Sequence, residues 1–166
     1  MNETYIEQLV KRKPPIGPNI AQAVLAALTV TCLIVGMGLS PFIFLFAIVF
    51  GIATYFVHMF ADIEYEYLFV EKELSIDVIR AKSSRKRIAS FEANRMEVFA
   101  PQGSHHLDEY KNRNLKVKDY SSHLKDSNPY VMVYNGEKEM QMVILEGSEG
   151  LVKCFYNAAP RKVFKD

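Results

Sequence analysis

Residues 14–61 read PPIGPNIAQAVLAALTVTCLIVGMGLSPFIFLFAIVFGIATYFVHMFA and contain no Asp, Glu, Lys or Arg. A bilayer core requires about 20 apolar residues per helix, so this run is long enough for two spans with a turn between them. The turn is at GMGLSP (36–41), which combines two glycines, a serine and a proline. Pro41 suits the first turn of a new helix and Ser40 its N-cap. The pattern predicts helices over 20–37 and 41–60, with Pro14, Pro15 and Pro18 ending any helix upstream. A signal peptide has an apolar core of only about 7–15 residues, and this run is too long and doubled.

Outward from the run, Lys11, Arg12 and Lys13 immediately precede the first span and the connecting loop is uncharged. By the positive-inside rule both termini are expected in the cytoplasm, in a two-span protein of the cell membrane. Tyr55, Phe56 and Phe60 suit the aromatic interface, and His58 is placed there at headgroup depth. The spans carry the small-residue pairs Ala23/Ala27 and Ala47/Gly51, which allow close helix packing. Closing the hairpin on itself is their simplest use, and homodimerisation the sharper one. Thr29, Thr31 and Thr54 are too few and too weak for a polar relay, which a transporter or proton channel builds from ionisable groups. The hairpin reads as an anchor.

The chain has 166 residues and a net charge of +1, from 20 cations and 19 anions. That balance lacks the basic excess of a nucleic-acid-binding domain. Cys32 lies in the apolar run and Cys154 far beyond it, so a disulfide is not expected, and no CxxC or Cys/His metal spacing occurs. Two reduced structural thiols fit a reducing compartment.

Past Ala61 the period changes from helical to alternating. In DIEYEYLFV (62–70), Ile63, Tyr65, Tyr67 and Phe69 alternate with Asp62, Glu64 and Glu66, and LSIDVIR (74–80) alternates again after the turn at 71–73. Strands with one buried face are predicted for both. RIASFE (87–92), RMEVFA (95–100) and LKVKDY (115–120) read as further strands. PYVMVY (129–134) and KEMQMVIL (138–145) meet across Asn135–Gly136, the strongest short-range hairpin cue. SEGLVKCFYNAA (148–159) places Leu151, Val152, Phe155 and Tyr156 on one helical face, with Ser148 as N-cap and Pro160 as stop. Three parts follow: an N-terminal segment 1–19, a hairpin 20–60, and a cytoplasmic, mostly β domain 62–166 of α+β class.

About seven strands and a closing helix, in this order, resemble the pleckstrin-homology-like barrel of antiparallel strands. The full chain also resembles a family of small uncharacterised two-span membrane proteins of anaerobic Gram-positive bacteria, a domain of unknown function. The strings that carry this are MNETYIEQLVKRK, EYEYLFVEKELSID, SSRKRIASF, MEVFAP, RNLKVKDYSS, YVMVYN and APRKVF. The resemblance implies a membrane protein with a PH-like domain, and it brings no activity and no functional residue.

Arg80, Lys82, Arg85, Lys86 and Arg87 form the densest cationic cluster. With Arg80 ending one strand and Arg87 starting the next, the cluster reads as a turn. Near an anionic leaflet each cation contributes about 1 kcal/mol, so the turn is a candidate site for lipid headgroups or a protein partner. Lys111, Arg113, Lys116 and Lys118 form a second set. The ordinary role of such charges is to keep strand edges from aggregating. Nucleic acid is not expected, because the aromatics alternate into the core. His105, His106 and His123, with Asp108 and Glu109, lack metal-site spacing. No nucleophile elbow, P-loop or dinucleotide fingerprint occurs. The expectation is a non-enzymatic, membrane-anchored interaction module without cofactor or metal, with an unidentified protein partner. The alternative is an accessory subunit of a larger membrane complex whose interface is the spans.

Overall fold

The computed structural model describes residues 5–14 and 16–165. Strands β1 (Tyr5–Lys11), β2 (Ile63–Val70), β3 (Glu73–Arg80), β4 (Ser84–Glu92), β5 (Met96–Pro101), β6 (Lys116–Asp119), β7 (Pro129–Asn135) and β8 (Met140–Glu146) are accompanied by helices α1 (Ile16–Gly38), α2 (Ile43–Ala61), α3 (Asp108–Lys111) and α4 (Glu149–Ala158). The chain forms two compact units: residues 14–63 with 79–84, and the remainder.

In the first unit, α1 and α2 are long and apolar enough to cross a membrane. At 1.5 Å per residue, 23 and 19 residues match a hydrocarbon core of about 30 Å. Helix α1 starts at Ile16, earlier than predicted, and takes Pro18 into its first turn, where the missing N–H costs nothing. Pro15 lies outside the described residues. Ser40 does not cap α2. Instead the N–H groups of Ile43, Phe44 and Leu45 donate to the carbonyls of Ser40, Pro41 and Phe42, a tighter 3₁₀-like entry. The hairpin closes where backbones come near. Gly36 is buried, and a Cβ there would lie 3.4 Å from the Phe44 ring. Ala47 is buried, and a Cβ on Gly51 would lie 3.9 Å from Thr29 Cγ2. Ala23 and Ala27 are exposed, so the expectation that they close the hairpin is revised. The hydroxyls of Thr29, Thr31 and Thr54 donate to the carbonyls of Leu25, Ala27 and Phe50, satisfied within their own helices.

The second unit has two four-stranded sheets, ordered β1-β2-β3-β4 and β5-β7-β8-β6. There are eight strands rather than seven and the barrel is not closed. The added strand is β1, in a segment for which the sequence pattern predicted no element. It runs antiparallel to β2 in unbroken register from Tyr5↔Val70 to Lys11↔Glu64. The apolar helical hairpin is therefore inserted in the connection between two paired strands. The second sheet is mixed: β7 is antiparallel to β5 and β8, but β6 runs parallel to β8, contrary to the all-antiparallel expectation.

Two turns also depart from expectation. Asn135–Gly136 is not a two-residue turn: Asn135 pairs with Met140, and Gly136 N–H donates to Glu139 O across a longer loop. Two-residue turns with left-handed backbone occur instead at Glu71–Lys72 (φ 48° and 70°) and Ala81–Lys82 (φ 47° and 55°), where no glycine or asparagine is present.

The core lies between the sheets and α4. Tyr67, Phe69, Leu74, Ile76, Phe91, Phe99 and Met132 are fully buried. The Phe155 ring of α4 packs 4.9 Å from Phe69 and 4.6 Å from Phe99, so the helix touches both sheets. Ser148 caps α4 as predicted, its Oγ accepting from Leu151 N–H at 3.2 Å. Cys154 joins Leu151, Val152 and Phe155 on the buried face, whereas Tyr156 is exposed. Cys32 and Cys154 are not joined in a disulfide.

Candidate functional site

Strand β4 begins at Ser84, so Arg85, Lys86 and Arg87 are strand residues and not part of a turn. The turn itself is Ala81–Lys82, closed by Ser83 N–H donating to Arg80 O. Successive strand side chains point to opposite faces. Arg85 and Arg87 therefore share a face, and Lys86 points away from them. The five cations predicted as one cluster are thus divided.

Arg85 and Arg87 are used internally. Arg85 Nε donates to Asp77 Oδ2 at 3.0 Å, Arg87 Nε to Asp77 Oδ1 at 3.1 Å, and the Arg85 guanidinium also pairs with Glu66. Beneath them Glu64, Glu66, Ser75 and Asp77 are buried, so this face of the first sheet is not the solvated outer face that strand alternation suggests. Burial pushes the Glu66 carboxyl above its usual range. The Arg85 charge opposes this, and the hydrogen bond and charge of Glu7 on β1 reinforce it. Further along, Ser90 Oγ bonds Glu73. Arg87 and Ser90 both reach the Glu73–Asp77 face although their parity differs, so β4 carries an irregularity between them.

Among the described residues, Arg80, Lys82 and Lys86 make no ion pair. In the second set, Lys111 pairs with Asp108 at 2.6 Å, Arg113 lies over the Tyr110 ring and Lys116 is 3.8 Å from Glu139.

The histidines separate as well. Ser104 caps the turn at His105–Leu107, and the His106 ring stacks on Phe164 with centroids 3.5 Å apart. His123, at φ 56°, lies 3.3 Å from Asp119 and 3.4 Å from Arg12. Among the described residues no group of three or more His, Cys, Asp or Glu side chains is placed to hold a metal.

Strand β1 and its surroundings, to which the residue patterns gave no signal, form a third region. Arg12 donates to Tyr65 Oη at 2.8 Å, and Lys13 N–H to Ser122 O at 2.8 Å. Between β1 and residues 122–127 runs a groove of about 500 Å³, lined by Leu9, Val10, Lys11, Lys13, Leu124 and Lys125 among others. Only the fold brings Lys125 beside Lys11 and Lys13.

No curated protein and no solved structure matches this chain. A family model described as a bacterial PH-like domain (DUF6106) matches residues 2–165, nearly the whole chain, hairpin included. The order of two sheets and a closing helix agrees with that description, and the chain belongs to this family of PH-like domain proteins.

Proposed function

We propose that this protein is a non-enzymatic interaction module anchored in the cell membrane by its helical hairpin, with both termini in the cytoplasm. The observation that carries this reading is the place of the hairpin, inserted between the paired strands β1 and β2 of a folded PH-like domain. The hairpin's two ends lead into neighbouring strands, so the tether leaves the strand pairing of the domain intact. The division of the cations supports a weaker role for anionic lipid than five clustered charges imply. Arg80, Lys82 and Lys86 remain for a leaflet, at about 1 kcal/mol each.

The exposure of Ala23 and Ala27 favours a second reading, an accessory subunit whose spans contact a larger membrane complex. Photo-crosslinking in cells separates the two. A photoreactive residue at Lys86 or Leu124 that captures a partner, with none captured at Ala23 or Ala27, supports the module. The reverse pattern supports the subunit and overturns the module.

A further inference from the structure

We propose that the open edge of β1 receives an acidic peptide in extended conformation, which adds to the first sheet as a fifth strand. This deepens the interaction-module reading and rests on it.

The edge is the first observation. β1 ends its sheet. Beyond its ladder with β2, the backbone hydrogen bond made from this segment among the described residues is Lys13 N–H to Ser122 O, which leaves the outward groups of Tyr5–Arg12 without a backbone partner. Exposed edges are ordinarily blunted by proline, bulges or inward charge. The opposite edge, β4, follows that rule with Arg85, Lys86, Arg87 and an irregular stretch. β1 has seven residues, no proline and no break in register, and it carries only two charges, Glu7 and Lys11. Such an edge is a template for strand addition.

The groove is the second. Its floor is apolar: Val10 is 4% exposed, and Leu9 and Leu124, at 57% and 52%, offer side chains to an incoming strand. Its rim is cationic. Lys11, Lys13 and Lys125 make no ion pair among the described residues. Of the two carboxylates lining it, Glu146 is engaged by Ser122 Oγ at 2.8 Å and Asn128 N–H at 2.8 Å, which leaves Asp126 against three ammonium groups in the lining; the buried Glu64, opposite Lys11 on β2, does not line the groove. Charge complementarity therefore selects an acidic occupant.

Spacing is the third. Leu9 and Lys11 share one side of β1, about 7 Å apart along the strand, and Lys13 follows two residues past its end. The matching strand carries acidic residues at i and i+2 with an apolar residue at i+4. Lipid headgroups satisfy the lysines but cannot use the backbone edge.

The test is fluorescence anisotropy of a labelled eight-residue peptide, with glutamates at alternating positions followed by leucine, against the full chain in nanodiscs of neutral lipid. Binding is expected, weakened by salt. It should be lost when alternate peptide amides are N-methylated, and weakened at least about tenfold by Lys11→Gln with Lys125→Gln. Absence of binding at low salt, or equal binding of the N-methylated peptide, overturns strand addition. A Lys11- and Lys125-dependent response to anionic lipid, without peptide binding, makes the groove a headgroup site and also overturns it. Crosslinks elsewhere on the domain would then leave the module reading standing, whereas their absence would remove both.

Discussion

Lys11 at the end of β1 lies directly opposite Glu64 near the start of β2, although the entire apolar helical hairpin separates them in sequence. The two strands form an antiparallel pair whose connecting loop has become two long apolar helices. A fragment starting at residue 62 therefore lacks a strand, although the sequence pattern places the domain boundary there.

Joining Lys11 directly to Glu64 through Asn-Gly should yield a soluble, folded domain. The two-residue turn suits antiparallel neighbours, and β1 keeps its pairing. The fragment 62–166 should be markedly less stable or aggregate, because it uncovers the β2 edge and loses Val10, whose burial is worth about 1.5–3 kcal/mol. Circular dichroism melts and size-exclusion profiles of the two proteins provide the comparison. Equal stability would show that β1 is dispensable.

Left-handed backbone at Glu71 and Lys72 makes this turn a site for stabilisation. Such a conformation costs non-glycine residues about 1–2 kcal/mol each, and the entropy of glycine returns part of that gain. Replacing the pair with Asn-Gly should stabilise the protein by about 1 kcal/mol. Gly136→Ala should act in the opposite direction, since its Cβ would meet Glu139 O at 2.5 Å. Denaturant unfolding of both variants measures the two signs.

Arg85→Ala and Lys86→Ala are expected to differ although the residues are adjacent. Removing Arg85 leaves Asp77 and Glu66 with less compensation in a buried position. Even with its half-exposed guanidinium, the loss should exceed that of an ordinary surface substitution. Lys86→Ala should stay within about 0.5 kcal/mol, as for an ordinary surface site. Similar losses in the two variants would contradict the division of the cationic cluster.

Glu66 should imprint a pH dependence on stability. Burial holds its folded carboxyl above the ordinary glutamate range, so the folded state holds the proton more tightly than the unfolded chain. Ionised Glu66 therefore opposes folding above its raised pKa. That penalty disappears as pH falls from there toward the ordinary carboxylate range. Relative to Glu66→Gln, the wild type should gain stability over that interval. Paired melts at neutral pH and at about pH 4.5 test this, and a wild type that instead loses ground to the variant on acidification would reverse the sign.

The sequence by itself determined the features that rest on local physics. A run without charge specifies membrane-length helices, because one ionised group at bilayer depth is costly. Alternation in DIEYEYLFV and LSIDVIR specifies strands with one core face, and Ser148 specifies the start of α4, because neighbouring residues settle these choices. Tertiary structure alone decided what depends on distant partners. YIEQLVK becomes an edge strand only by pairing with β2 across the hairpin. Glu64 and Glu66 are buried because β1 and β3 flank them and Arg85 reaches Glu66. Arg85 and Arg87 part from Lys86 because the pleat directs alternate side chains to opposite faces, where Asp77 meets only one set. Lys125 joins Lys11 and Lys13 because the loop after β6 folds back beside β1. Each of these is a long-range pairing, and its register is set by which side chains the assembled core buries.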